Sequence, residues 1–323
     1  MSQRMLYLAS ADVANVGVTM AEIVAALEEM FRAKASGQVE MPPKPGIHPK
    51  PDAFIHAMPA YIATLRSAGI KWVSGFPQNQ ERGLPYISGL LILNDADTGI
   101  PLAVMDCTWI TAKRTGAATA VAARYLARPD AHVVGILGCG VQGRSNLEAL
   151  KALFPIEEVR AYDTNPSAQS RYADEMQRLL GLRVRAVPDP RQAVSECDIV
   201  VTAGPIVKVP HATIQMGWLE AGAFASLVDY DSYWHPDAMR QVDKFCTDDV
   251  PQLEHSREMG YFQNIPPVYA ELCDLVVGRK PGRQTNSERT MTCNLGLALD
   301  DMAVAPLVYH RALEKGVGMW LPL

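Results

Sequence analysis

The run Val133-Val-Gly-Ile-Leu-Gly-Cys-Gly-Val-Gln-Gly143 sets an apolar segment directly against three glycines spaced Gly138-x-Gly140-x-x-Gly143. A hydrophobic strand that enters such glycines and leaves as a helix predicts the first turn of a dinucleotide-binding parallel sheet. Gly138 permits the tight turn, Gly140 lets the backbone approach a pyrophosphate, and Gly143 lets the helix pack closely on the strand. The helix begins at Val141 and Gln142, where free N–H groups and the helix dipole favour phosphate. Asp163 follows 20 residues beyond Gly143, at the end of the second strand, where a carboxylate accepts hydrogen bonds from the ribose hydroxyls. An acid there repels a 2'-phosphate, so NAD is expected over NADP, although Arg171 in the next helix is the kind of residue that NADP enzymes recruit.

The surrounding chain supplies the rest of such a sheet. Strands at 131–137, 158–163, 183–187 and 198–203 alternate with helices at 141–153, 166–180 and 190–196, and further strands follow near 224–228 and 244–247. This alternation predicts an α/β fold with a Rossmann-type doubly wound parallel sheet. Thr202, where the fourth strand ends in small residues, is a candidate cofactor contact, with a strand-end cap as its plainer role. At 323 residues the chain is long enough for roughly two domains of about 150 residues. Before the sheet, a Thr-capped amphipathic helix begins at Thr19, and β-rich pieces at 53–58, 69–73, 87–93 and 101–105 suggest an antiparallel sheet. The turn Asn94–Gly99 lacks a full calcium ligand set and is expected to be a hairpin turn. A helix over 108–127 joins the two regions without a flexible linker.

Several function classes are excluded by composition. A net charge of -5 with no basic run argues against nucleic acid, and no uninterrupted apolar stretch reaches the length of a membrane span. The six cysteines are far apart, with no CxxC and no metal-type pairing with histidine, so no metal is expected and reduced thiols in a cytoplasm fit best.

Candidate chemistry falls in two places. The β-rich region supplies Lys44, His48, Lys50, His56 and Lys71, and the following helix adds Lys113 and Arg114. Lys71, flanked by apolar residues, is either solvated on an outer face or directed into a pocket beside an anion. Lys113 and Arg114 point about 100 degrees apart on a helix, and the planar fork of Arg114 suits a carboxylate better. Asp229 closes a strand at the sheet edge where hydride chemistry occurs in such folds, and can exchange a proton with an amino or imino nitrogen; Asp231 is its rival. Each charge alone also reads as a solvated surface group.

Together these segments resemble the ornithine cyclodeaminase and μ-crystallin family, which includes alanine dehydrogenases and imine reductases. The resemblance runs through Gly69-Ile-Lys71, Leu91 to Pro101, Ile110 to Thr119, Gly138 to Gly143, Tyr162-Asp-Thr-Asn-Pro166, Asp198 to Thr202 and Gly282 to Asp300. It implies a homodimer whose substrate and dimerisation domain, of α+β type, is built from residues 1–118 with 301–323 returning to it. An NAD-binding domain spans 119–300. Lys71 and Asp229 are then the catalytic residues, and Lys44, His56, Lys71 and Arg114 hold the substrate. Arg114, Gly138, Gly140, Val141, Gln142, Gly143, Asp163, Thr164, Thr202 and Asn294 hold the cofactor. The segment after Asp229, Tyr-Asp-Ser-Tyr-Trp, departs from the Pro-Gly-rich turn of the cyclodeaminases. His56 stands where they carry a Glu that suits a cationic substrate. With the nearby lysines, this points to an imino dicarboxylate such as iminosuccinate, reduced to the amino acid. A proline-forming cyclodeaminase and an NAD(P)H-binding protein with little turnover are the alternatives.

Overall fold

A computed structural model describes residues 3–50 and 52–323. In chain order the elements open with β1 (Arg4–Leu8), α1 (Ser10–Asn15), α2 (Met20–Ala35), β2 (Val39–Glu40), β3 (Gly46–Ile47) and β4 (Phe54–Ile62). They continue with β5 (Ser67–Gly75), β6 (Ile87–Asp95), β7 (Pro101–Asp106) and α3 (Thr108–Leu126). Next come β8 (Val133–Leu137), α4 (Val141–Leu153), β9 (Glu158–Tyr162), α5 (Pro166–Leu180), β10 (Arg183–Ala186), β11 (Ile199–Thr202) and β12 (Phe224–Leu227). The chain then forms α6 (Pro236–Arg240), β13 (Lys244–Thr247), α7 (Val250–Glu258), β14 (Ala270–Glu271), α8 (Leu272–Val276) and β15 (Thr290–Cys293), and ends with α9 (Ala298–Lys315) and β16 (Met319–Pro322).

Two units result: Met1–Arg114 with Leu297–Leu323, and Thr115–Gly296. The first boundary falls inside α3, earlier than the expected break after residue 118, because a continuous helix carries no linker to mark it.

The first unit is a sheet in the order β16-β1-β7-β6-β5-β4-β2, with β3 on β4. Strands β4 to β7 form the expected antiparallel ribbon. Its hairpin turn is held by Asp95, whose Oδ1 accepts from the N–H of Thr98 at 2.8 Å and from its hydroxyl at 2.7 Å. The sheet as a whole is mixed, because β1 runs parallel to β7 and takes β16 as its antiparallel partner. A parallel pair needs a long connection, and the intervening helices provide it. Helix α2 starts where Thr19 accepts from Glu22 N–H and Glu22 accepts from Thr19 N–H, and it buries Ile23, Val24, Leu27, Met30 and Phe31.

The second unit is an all-parallel sheet in the order β10-β9-β8-β11-β12-β15-β13-β14. Strands β10, β9, β8, β11 and β12 give the 3-2-1-4-5 order of a dinucleotide-binding sheet. Asn165 caps α5, and Gly181 ends it at φ 65. The helix expected over 190–196 is only the short 3-10 turn Pro190–Ala193. It lies hard on the sheet, and a Cβ at Gly135 would strike the Ala193 carbonyl.

Candidate active site

In the second unit the strands deliver the candidate cofactor residues to one edge. Gly138 follows β8, Asp163 follows β9, Thr202 ends β11, Asp229 follows β12 and Asn294 follows β15, all at carboxyl ends of parallel strands. The three glycines differ as their spacing predicts. Gly138 has φ 103, and a Cβ there would lie 2.5 Å from the Ala203 carbonyl. A Cβ at Gly143 would strike Gly138 O, whereas one at Gly140 would meet nothing within 4 Å. The glycine loop is stapled from below: Arg144 Nη1 donates to Cys139 O at 2.5 Å and to Gly140 O at 3.1 Å, and Glu175 anchors the guanidinium at 2.8 and 2.9 Å.

Two orphaned polar atoms fit a dinucleotide at this edge. Gln142 Oε1 and Asn294 Nδ2 are buried without a hydrogen-bond partner among the described residues. A buried orphan costs about 1–3 kcal/mol unless a ligand or water answers it. Val141 is exposed at the helix start, Thr164 is exposed, and Asp163 is half-buried. The Asp163 carboxylate is aimed by the N–H groups of Cys139 and Asn165, each at 2.8 Å.

Thr202 differs from its expected cofactor contact. Its hydroxyl donates to Asp229 Oδ1 at 2.6 Å and accepts from Trp234 Nε1 at 3.2 Å, so the side chain is spent on orienting Asp229. Gly204 N–H donates to the other carboxylate oxygen at 2.8 Å. Burial raises the Asp229 carboxyl to about 7 against these two hydrogen bonds. Asp231 is also raised by burial, less completely enclosed.

In the first unit, Lys71 on β5 lies opposite Met58 and Leu91, while His56 on β4 lies opposite Val73. Side chains two apart on a strand share a face, so His56 and Lys71 are on one side of the sheet. That side is the one α9 packs on, and the Lys71 ammonium, 1% exposed, lies 2.6 Å from Asp301 of that helix. Arg114 Nε lies 3.3 Å from the same carboxylate, and its Nη1 lies 3.4 Å from Asp300. Asp300 also accepts from Leu297 N–H at 3.0 Å and so caps α9. Burial lowers the Lys71 pKa, opposed by Asp301 and aided by Arg114.

Two buried cations thus face two buried carboxylates, which reduces the expected surplus of positive charge: Asp300 and Asp301 stand against Lys71 and Arg114. The sequence signal for them was two adjacent acids in the otherwise apolar stretch 298–305. His56 stacks on Phe54 with ring centres 4.3 Å apart, and His48 meets its ring edge at 6.1 Å. Lys44, half-buried, precedes β3, whose Gly46 lies opposite His56. Lys113 turns instead to the Trp109 ring, 6.0 Å from its centre.

Residues 4–316 match the model of the ornithine cyclodeaminase/mu-crystallin family. The chain belongs to that family. Its members of known structure include the Δ1-pyrroline-2-carboxylate reductase of Thermococcus litoralis in complex with NADH and L-proline. That chain is 33% identical with a TM-score of 0.89, over 98% of this chain and 99% of the other. An archaeal alanine dehydrogenase dimer with bound NAD is 34% identical with a TM-score of 0.88, over 99% and 100% of the two chains. The iminosuccinate reductase of Paracoccus denitrificans in complex with NAD+ is 26% identical with a TM-score of 0.82, over 99% and 100%. Family membership thus extends to both sheets, the mixed one as well as the parallel one.

Proposed function

We propose that the protein is an NAD(H)-dependent oxidoreductase that reduces the C=N bond of a small imino carboxylate to an amino acid, or oxidises the amino acid in reverse. One observation carries this reading: Asp229, a buried carboxyl raised to about 7, sits on the same strand edge as the open cradle at Gly140 and the unpartnered Nδ2 of Asn294. A group with its pKa near the working pH is suited to exchange a proton with nitrogen. Bound NAD(H) supplies or accepts the hydride. The N–H groups at Gly138 to Gly143 hold the pyrophosphate, Asp163 the ribose and Asn294 the carboxamide. Arg114 and Lys71 give hydrogen bonds to the substrate carboxylate, with Lys44 and His56 beside them. NAD is favoured over NADP because the carboxylate of Asp163, held by the N–H groups of Cys139 and Asn165, stands where a 2'-phosphate would have to fit.

With Lys71 and Arg114 facing Asp301 and Asp300, less positive charge is left over for a second substrate carboxylate. We therefore take the substrate to carry one carboxylate, as the products alanine and proline do. The test is a spectrophotometric panel of imines: pyruvate with ammonia or methylamine, Δ1-pyrroline-2-carboxylate, and oxaloacetate with ammonia. Stoichiometric NADH loss with the first two supports the reading. Loss only with oxaloacetate returns the substrate to iminosuccinate, and no loss with any of them, despite tight NADH binding, leaves a binding protein.

The same reading includes a homodimer. The sheet face opposite Lys71 leaves Tyr7, Tyr61, Trp72, Leu90 and Met319 exposed, and Trp72 and Leu90 are register neighbours. A contiguous apolar face of this kind suits a second copy of the chain. Sedimentation is expected to give a dimer, and Trp72→Glu a folded monomer. All six cysteines are free and buried, which supports a cytoplasmic protein.

A further inference from the structure

We infer that Trp234 acts through Thr202 as a positioning residue for Asp229: the indole N–H fixes the direction of the Thr202 hydroxyl, and that hydroxyl holds the Asp229 carboxylate in place. The inference rests on the proposed role of Asp229 and adds two residues to it. An indole nitrogen only donates, and a threonine hydroxyl carries one proton. With Trp234 Nε1 at 3.2 Å, the Thr202 oxygen must accept from it, and its single proton is left to point along the 2.6 Å contact to Asp229 Oδ1. Both side chains are fully buried, so no exchange with bulk water relaxes this order.

The turn after β12 makes the relay possible. Tyr230 takes φ 63, and the Ser232 hydroxyl donates to Asp229 O at 2.5 Å while accepting from Val207 N–H at 3.0 Å. The chain folds back so that Trp234, bridged to Ile214, enters the core beside Leu227 and Phe262 and reaches the end of β11. The segment Tyr230-Asp-Ser-Tyr-Trp234 is therefore the piece that brings the donor. The other ionisable groups bearing on Asp229 are Asp231 on the same turn and the Cys293 thiol at the end of β15, and each adds negative charge when ionised. Thr202 and Gly204 oppose them by favouring the carboxylate, so losing the Thr202 proton makes Asp229 hold its own proton to higher pH.

The test is a carbon-13 titration of Asp carboxyls in the full-length protein, with the Asp229 signal identified by its loss in Asp229→Asn. The wild-type midpoint is expected near 7. Thr202→Val should raise it by about one to two pH units, the range for removing a hydrogen bond to a charged group. Trp234→Phe should raise it by less, because the freed hydroxyl then divides its time between directions, and Thr202→Ser should restore the wild-type value. An unmoved midpoint in Thr202→Val overturns the inference, and that variant decides alone if Trp234→Phe does not fold. An unmoved midpoint in a folded Trp234→Phe removes Trp234 from the relay. Turnover is read separately. If no imine consumes NADH while the titration shifts as described, the proposed function fails and the relay stands; NADH loss with a fixed midpoint gives the reverse.

Discussion

In the first unit Lys71, Arg114, Asp300 and Asp301 lie buried with their charges matched, at separations of 2.6 to 3.4 Å. In the second unit Asp229 lies equally deep, but the groups fastened to its carboxylate are neutral donors, the Thr202 hydroxyl and the Gly204 N–H. Burial disfavours an isolated charge, and a partner of opposite sign restores it. The quartet sets each buried charge against one of opposite sign, whereas Asp229 is built to change its protonation near neutral pH. One region is a charge-paired frame and the other a carboxyl held by neutral donors, although both are read from the sequence simply as charged residues in apolar surroundings.

The sharpest way to break this contrast is to remove the titrating carboxyl. Asp229→Asn keeps the size and one acceptor, and should lower imine turnover by about 10²–10⁴-fold with NADH affinity little changed, as measured by initial rates and NADH fluorescence. Asp231→Asn should cost much less, and equal losses would dissolve the distinction between the two acids. Next in size is the frame itself. Asp301→Asn leaves Lys71 and Arg114 short of a counter-charge and should destabilise by about 3–5 kcal/mol in chemical denaturation, with Lys71→Met in the same chain recovering part of it. A loss under about 1 kcal/mol would mean that the quartet is not a compensated frame.

The last effect is a pH dependence. The Asp229 carboxyl is raised from 3.8 to about 7, so its stabilising contribution is complete below the lower value and lost as pH rises through the upper one. Asp229→Asn should gain on the wild type by about 4 kcal/mol in unfolding free energy, from chemical denaturation, as pH rises from 4 to 8. A flat difference across that range would mean that Asp229 does not change its protonation there.

What the sequence makes legible is local. The demands on Gly138, Gly140 and Gly143 fall within six positions: Gly138 and Gly143 meet theirs by a conformation or close approach that only glycine allows, and Gly140 by leaving the space above it open. The Thr19 cap and the Asp95 turn are readable for the same reason, since their donors and acceptors lie within three residues. The counter-ions were not readable. Arg114 and Asp300 are 186 positions apart, and nothing near Arg114 announces that its fork is already engaged. The use of the Thr202 hydroxyl was hidden likewise, because its direction is set by Trp234 from 32 positions away. Parallel pairing of β1 with β7 depends on β16 taking the other edge, which no local pattern in β1 specifies.

The closure of the first sheet by α9 and β16 has a consequence for biosynthesis. Ser67 bonds to the carbonyl of Met302, 235 positions later, and Lys71 waits for Asp301 from the same helix. A nascent chain that has emerged only as far as Gly296 holds every strand of the parallel sheet but neither carboxylate of the quartet. The dinucleotide-binding half can therefore mature on the ribosome, while the half that comes first off it stays an unfinished client, its lysine without a companion, until translation delivers the last helix.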